Sequence, residues 1–307
     1  MPANPIMLFA LSATLELGEA VASALGTELA PLEERDFEDG EHKARPLESV
    51  RGADIYVLQS LHGGPEESPN DKLVCLLFLL AALKDLGAAR VTAVVPYLCY
   101  ARKDRRTKPR DPVSARYVAQ LLEATGCDRV VTVDVHNPAA FENAFRRPVV
   151  HLEARWLLVE QIAGALGGAA AAVVSPDAGG VKRAERFRQA FAHHTGAAIP
   201  LVFVEKFRSE GQVSGGALVG EVVGRTALIL DDLIATGGTL VRAARACLDS
   251  GAEAVFAAAT HGLFIPSASK TLVDSALSGI WVTDTVPAFR LDPDKIGGKV
   301  TVVPVAP

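Results

Sequence analysis

Cysteine is sparse in this chain and never paired in sequence. Cys75, Cys99, Cys127 and Cys247 lie in apolar or helical contexts, with no Cys-x-x-Cys spacing. This argues against a disulfide framework and reads as reduced core thiols of a cytoplasmic protein; a catalytic cysteine is the weaker reading. Long apolar runs are also missing. The longest, Leu73 to Leu83, is far too short to span a bilayer. No basic segment precedes an apolar one after Met1-Pro2-Ala3-Asn4, so a signal peptide is not expected. Charge of one sign is not in excess either. A net charge of -5 gives no reason to expect nucleic acid or a membrane surface as a partner.

What is present is a large apolar fraction, 49%, in 307 residues, enough to bury sizeable cores and long enough for two domains. The most informative stretch is Leu228-Ile229-Leu230-Asp231-Asp232-Leu233-Ile234-Ala235-Thr236-Gly237-Gly238-Thr239-Leu240. An apolar strand runs into two carboxylates, then a small-residue turn, then an alanine-rich helix. Adjacent glycines let a ligand approach the backbone, and the first turn of a helix offers unpaired N–H groups to an anion. Thr236 and Thr239 add hydroxyl donors. The stretch is therefore expected to cradle a phosphate, with Asp231 and Asp232 beside it for hydroxyls or a metal. It is no Walker loop, because no Gly-Lys-Ser/Thr follows.

Strand and helix patterns alternate along the chain. Strands are expected at Ile6 to Ala10, Asp54 to Ser60, Val91 to Val95, Val130 to His136, Ala172 to Ser175, Leu201 to Glu205 and Val255 to Ala259. Helices are expected at Leu15 to Leu25, Asp71 to Leu86, Ser114 (as cap) to Thr125, Trp156 to Ala165 and Val181 to Ala192. Asp36 to Glu41 reads as an acidic turn, and Ser209 to Gly216 as a mobile segment. This alternation predicts an α/β fold of parallel sheets with helices on both faces. The run Lys84-Asp85-Leu86-Gly87-Ala88 before a strand is echoed 164 residues later by Leu248-Asp249-Ser250-Gly251-Ala252. That echo suggests two related domains, residues 1–149 and 150–307.

Ligands of open α/β sheets sit at the carboxyl ends of strands. The candidates all fall there: Asp134 and His136, Asp177 with its Gly-Gly turn, Lys206 and Arg208, and Asp231 with Asp232. Together they offer carboxylates, an imidazole, cations and an anion-binding helix start, the parts that phosphoryl transfer needs. Six cations also crowd residues 102–110, against Asp104 alone. A clamp for a nucleotide polyphosphate fits this run better than a nucleic-acid patch, and a solvated surface loop is the remaining reading.

These motifs resemble those of the ribose-phosphate pyrophosphokinases, the phosphoribosyl pyrophosphate synthetases, over nearly the whole chain. Phe37-Glu38-Asp39-Gly40-Glu41 resembles a nucleotide-contacting turn that reaches a neighbouring subunit's site. Tyr97, the Tyr100 to Arg105 run and Pro112-Val113-Ser114-Ala115 resemble the ATP segment. The resemblance implies two tandem phosphoribosyltransferase-like domains, each a mostly parallel sheet flanked by helices. It implies transfer of the diphosphoryl group of ATP to the C1 hydroxyl of ribose 5-phosphate. It places Phe37, Asp39, Glu41, Arg102, Lys103, Asp104, Arg105 and His136 at ATP, and His136 and Asp177 at Mg²⁺. Lys206 and Arg208 become catalytic; Asp231, Asp232, Thr236, Gly237, Gly238 and Thr239 hold ribose 5-phosphate. A homo-oligomer built from dimers, up to a hexamer, is also implied, with no nucleic-acid or membrane partner.

The sequence departs from the family at Ala235, where many members have Asp, and at Phe207, the middle of a Lys-Arg-Arg motif. The usual Ser-Gly-Asn turn is replaced at Ala10-Leu11-Ser12-Ala13, and the usual C-terminal helix does not follow Pro304. Two alternatives are weighed against an active synthetase. One is a weakly catalytic homologue that regulates a true synthetase by co-assembly; the other is a phosphoribosyltransferase.

Overall fold

In the computed structural model, residues 4–209, 212–296 and 298–306 are described, without the side chains of residues 205–216. The chain forms two compact units, Met1–Leu152 together with Ala306–Pro307, and Glu153–Val305.

The first unit is built on β1 (Ile6–Ala10), β4 (Asp54–Leu58), β5 (Arg90–Val95), β6 (Arg129–Val133) and β7 (Val149–Leu152), all parallel and adjacent in that order. Its helices are α1 (Leu15–Ala24), α2 (Pro69–Asp85), α3 (Ser114–Ala124) and α4 (Pro138–Ala144). In α2, Leu76, Leu79, Leu80 and Leu83 recur at helical spacing. They bury against alternate strand residues Ile55, Val57, Val91, Ala93 and Val95 in one core. Each such leucine contributes roughly 1.5–3 kcal/mol of burial. Ser68 caps α2 by accepting from the Asn70 and Asp71 amides, while Asp71 reaches back to the Ser68 amide.

Two strands the sequence does not announce, β2 (Leu32–Asp36) and β3 (His42–Pro46), pair as a separate antiparallel hairpin around the acidic turn. Their residues are mostly charged, so alternation of apolar side chains is weak. Cross-strand ion pairs take its place: Glu33 accepts from Lys43 Nζ at 2.7 Å and Arg45 Nη2 at 2.5 Å.

The second unit has a seven-stranded sheet. Its order is β10 (Gln212–Val219), β9 (Leu201–Ser209), β8 (Ala171–Ser175), β11 (Thr226–Ile234), β12 (Ala254–Gly262), β13 (Gly279–Thr283) and β14 (Val300–Val303). Only β10 runs antiparallel to its neighbour. Helices α5 (Arg155–Leu166), α6 (Val181–Thr195), α7 (Gly238–Asp249), α8 (Ala268–Val273) and α9 (Pro293–Ile296) complete it. Alternating strand residues feed two cores. Ala172, Val174, Ala227 and Ile229 join Leu240, Ala243, Ala244 and Cys247 of α7. Ala171, Val173, Leu228 and Leu230 join Leu158 and Ile162 of α5 and Phe187 of α6. Both faces of this sheet are thus covered, as continuous apolar runs such as Ala227–Leu230 require.

The expected parallel sheets flanked by helices are found. Several local expectations are corrected. The strand expected to reach His136 stops at Val133, because Asp134 turns the chain at φ 39°. Ser114 opens α3 but does not cap it; the cap is Val113, and the Ala115 amide is satisfied by the Lys103 carbonyl at 3.2 Å. The stretch expected to be mobile after Lys206-Phe207-Arg208 belongs largely to β9 and β10, whose pairing shifts register between Ser214 and Ala217; Glu210 and Gly211 lie outside the described residues.

The repeated helix exit also has a structural counterpart. Gly87 (φ 88°) and Gly251 (φ 91°) both adopt left-handed backbone. The Gly87 amide donates to Lys84 O and the Ala88 amide to Leu83 O. The Gly251 amide donates to Leu248 O and the Ala252 amide to Cys247 O, the same pairs displaced by 164 residues.

Candidate functional site

In the second unit, β8 is flanked by β9 on one side and β11 on the other. The chain leaves β8 through α6 to β9 and β10, then returns to β11 on the far side. This is a topological switch point, where the carboxyl ends of open sheets bind ligands. Pairing of β11 with β8 stops at Ile229–Val174, while pairing with β12 continues to Ile234–Gly262. Asp231 and Asp232 therefore lie on the projecting end of β11, inside the strand and not after it.

Asp232 is buried at 4% exposure and Asp231 is half-buried. The Asp232 amide donates to Asp231 Oδ1 at 2.9 Å. Arg183, in the first turn of α6, lies 3.5 Å from Asp231 Oδ1 and 3.4 Å from Asp232 Oδ1. Burial, then the neighbouring Asp232, push the Asp231 carboxyl up to about 7; Arg183 pulls the other way.

After β11, Gly237 takes φ 79°, and a Cβ there would stand 2.6 Å from Leu272 Cδ2. Only glycine fits both conditions. The Thr236 hydroxyl accepts from the Gly238 amide at 3.2 Å, and α7 begins at Gly238. Behind the loop, the Phe264 amide donates to Ile234 O and the Ile265 amide to Ala235 O, both at 3.0 Å. Phe264 is fully buried and itself left-handed at φ 40°.

Asp177 follows β8 and accepts from the Gly179 and Gly180 amides at 3.0 and 3.2 Å. Ser175 Oγ donates to Asp177 O at 2.6 Å. A Cβ on Gly180 would meet Ser175 Oγ at 2.7 Å, so a larger residue there would disturb the Ser175 hydroxyl that donates to Asp177 O. The side chains of Lys206 and Arg208 lie outside those described; their backbone runs in β9, the other neighbour of β8.

In the first unit, the basic loop follows β5 and the His136 turn follows β6. They are tied together by Asn137 Nδ2, which donates to Asp104 Oδ2 at 2.6 Å. Asn137 Oδ1 meanwhile caps α4 through the Ala140 amide. His136 is exposed on that turn, and Arg102 and Arg105 are exposed in the loop. Lys103 points instead to Asp111, at 2.6 Å. Phe37, Asp39 and Glu41 occupy the exposed tip of the hairpin, with the Arg35 guanidinium 5.0 Å from the Phe37 ring centre.

All four cysteines are buried and unpaired in disulfides, and burial pushes Cys75, Cys99 and Cys247 up to about 12. Such thiols are poor nucleophiles. Among the described residues, no group of three or more His, Cys, Asp or Glu side chains could hold a metal ion. None of their helices is long and apolar enough to cross a membrane. Sequence reasoning missed Arg183 and the Phe264–Ile265 brace. Arg183 had one available signal, its place in the first turn after the Asp-Ala-Gly-Gly segment. The brace had none, because it acts through backbone amides.

Residues 6–126 match the N-terminal domain of ribose phosphate pyrophosphokinase, and residues 204–298 match the phosphoribosyl synthetase-associated domain. The ribose-phosphate pyrophosphokinase of Caldanaerobacter subterraneus subsp. tengcongensis is 39% identical, over 99% of this chain and 92% of that protein. That of Aquifex aeolicus is 38% identical, over 99% and 93%. The crystal structure of phosphoribosylpyrophosphate synthetase from Mycobacterium smegmatis shares 38% identity at a TM-score of 0.88, covering 99% of this chain and 96% of that one. With kinship of this extent over both units, the chain belongs to the ribose-phosphate pyrophosphokinase family.

Proposed function

We propose that this enzyme transfers the diphosphoryl group of ATP to ribose 5-phosphate, giving phosphoribosyl pyrophosphate and AMP. The observation that carries the reading is the paired Asp231–Asp232 on a projecting strand, followed by a glycine-built helix start, at the switch point of the second unit. Backbone amides and hydroxyls of Thr236, Gly237, Gly238 and Thr239 take the 5-phosphate. Asp231 and Asp232 accept hydrogen bonds from the ribose hydroxyls and so orient the C1 oxygen. That oxygen attacks the β-phosphorus, the bond from the β-phosphorus to the α–β bridging oxygen breaks, AMP leaves, and the C1 hydroxyl proton is lost. Arg102, Arg105 and His136 serve the donor nucleotide, with Phe37, Asp39 and Glu41 supplied from the hairpin tip. Lys206 and Arg208 stabilise the transferring charge, a role worth roughly 3–4 kcal/mol for one such donor.

Mg²⁺ is the metal this chemistry calls for, supplying charge neutralisation on the polyphosphate. It is usually held by one or two carboxylates together with substrate phosphates, not by an all-protein cage. In the second unit Asp177, fixed by two backbone amides, offers one such carboxylate; in the first, His136 is the donor the family resemblance implies. A dimer-based homo-oligomer fits the hairpin tip serving another subunit's site.

The test is AMP formation from ATP, with and without ribose 5-phosphate and Mg²⁺. Sugar-dependent AMP is expected, and its absence would overturn the reading in favour of a regulatory homologue. Base-dependent pyrophosphate release from phosphoribosyl pyrophosphate would point to a transferase. Lys206→Ala is expected to cut turnover at least about a hundredfold.

A further inference from the structure

The basic loop carries six cations within residues 102–110. Like charges at this spacing repel and favour an open chain. The loop is nevertheless closed, and one carboxylate oxygen closes it. Asp111 Oδ2 accepts from Lys103 Nζ at 2.6 Å, Thr107 Oγ1 at 2.8 Å, the Lys108 amide at 3.0 Å and the Thr107 amide at 3.2 Å. The main chain of Asp111 adds two ties: its carbonyl accepts from Arg106 Nε and its amide donates to Lys108 O, both at 3.2 Å. Lys103 fastens the other end, since its amide donates to Tyr100 O and its carbonyl accepts from the Ala115 amide of α3. Arg102 and Arg105 are left exposed.

We propose that Asp111 is a positioning residue for the donor nucleotide: it folds the basic loop around itself, consumes Lys103 as an internal partner, and leaves Arg102 and Arg105 to meet the polyphosphate. The inference rests on the function proposed above for the choice of ligand, and not for the existence of the staple. It removes Lys103 from the direct ATP contacts that the family resemblance implies. Charge-assisted bonds of this kind are the strong ones, and the Lys103 hydrogen bond holds the Asp111 carboxyl well below the usual carboxylate range.

The experiment compares the full-length chain with Asp111→Asn, Asp111→Glu and Lys103→Met. Amide hydrogen exchange at Thr107 and Lys108 is measured without substrate, and kcat with KM for ATP and for ribose 5-phosphate in turnover. In Asp111→Asn both amides should exchange at least about tenfold faster and KM for ATP should rise about tenfold, the size expected for losing a charged hydrogen-bond partner. KM for ribose 5-phosphate should stay within about twofold, and Asp111→Glu should restore much of the ATP effect. Lys103→Met should cost less than Asp111→Asn, because three donors to Asp111 remain. Unchanged exchange, unchanged KM for ATP, or a larger effect from Lys103→Met would each overturn the proposal. Exchange needs no turnover. A chain that formed no AMP would fail the reading of function alone, and the effect of Asp111→Asn on equilibrium ATP binding would still decide this one.

Discussion

The loop after β5 and the loop after β11 both carry candidate phosphate-binding groups, yet different forces hold them. The first is gathered by charge: four donors converge on Asp111 Oδ2, and Asn137 ties Asp104 to the His136 turn. The second is held by shape and main chain. Leu272 fills the space behind Gly237, and the Phe264 and Ile265 amides bond to the carbonyls of Ile234 and Ala235. A charge-held loop can be loosened by salt or by one side-chain substitution. A packed loop yields only to a change in volume or backbone angle. Under the function proposed above, the difference suits a flexible polyphosphate at the first loop and a compact sugar phosphate at the second.

The largest expected effect comes from breaking the packed loop. Gly237→Val forces a branched residue into left-handed backbone and against Leu272, a strain of several kcal/mol. KM for ribose 5-phosphate should rise more than about a hundredfold, with KM for ATP nearly unchanged, as steady-state kinetics on the folded variant will show.

Next is the acidic pair. Burial, then the neighbouring Asp232, push the Asp231 carboxyl up to about 7, from an ordinary value of 3.8. The folded chain keeps a proton that the unfolded chain has released, so the stability from this group is full below about pH 4 and is lost as pH rises through about 7. Under the proposed role of Asp231 as acceptor from the ribose hydroxyls, binding of ribose 5-phosphate needs the ionised form and should tighten over the same rise. Asp231→Asn should flatten both profiles and weaken ribose 5-phosphate binding about tenfold, read by thermal melts and binding titrations from pH 5 to 9.

The smallest effect sharpens the comparison directly. Raising salt from about 0.05 to 0.5 M should speed amide exchange at Thr107 and Lys108 a few-fold, because exposed charge pairs are screened. Exchange at Phe264 and Ile265 should hardly move. Equal responses would mean that the two loops are held by the same force.

Much of the fold was legible because alternating apolar strands and amphipathic helices leave periodic traces. The hairpin β2–β3 was not, because its strands are joined by ion pairs at Glu33 and by main-chain pairing. The region after Ala259 was equally silent in the sequence reading, yet it contributes β13 and β14 to the sheet and Phe264 and Leu272 to the brace. At the site, carboxylates, glycines and cations announced themselves by type and spacing. Arg183 left only its place after Asp-Ala-Gly-Gly as a signal and Asp111 left none, because what matters in each is a partner far from it in the chain or a convergence of donors that no spacing reveals.

The sequence by itself determined the α/β rhythm, the strand-to-glycine-to-helix motif at Asp231–Thr239 and the family to which those motifs point. These are local properties of composition and period. Tertiary structure alone decided that β11 outruns β8, that Arg183 stands between two carboxylates, and that Lys103 faces Asp111. Such facts depend on which strands become neighbours and where a loop closes, and chain order does not fix either until the core has formed.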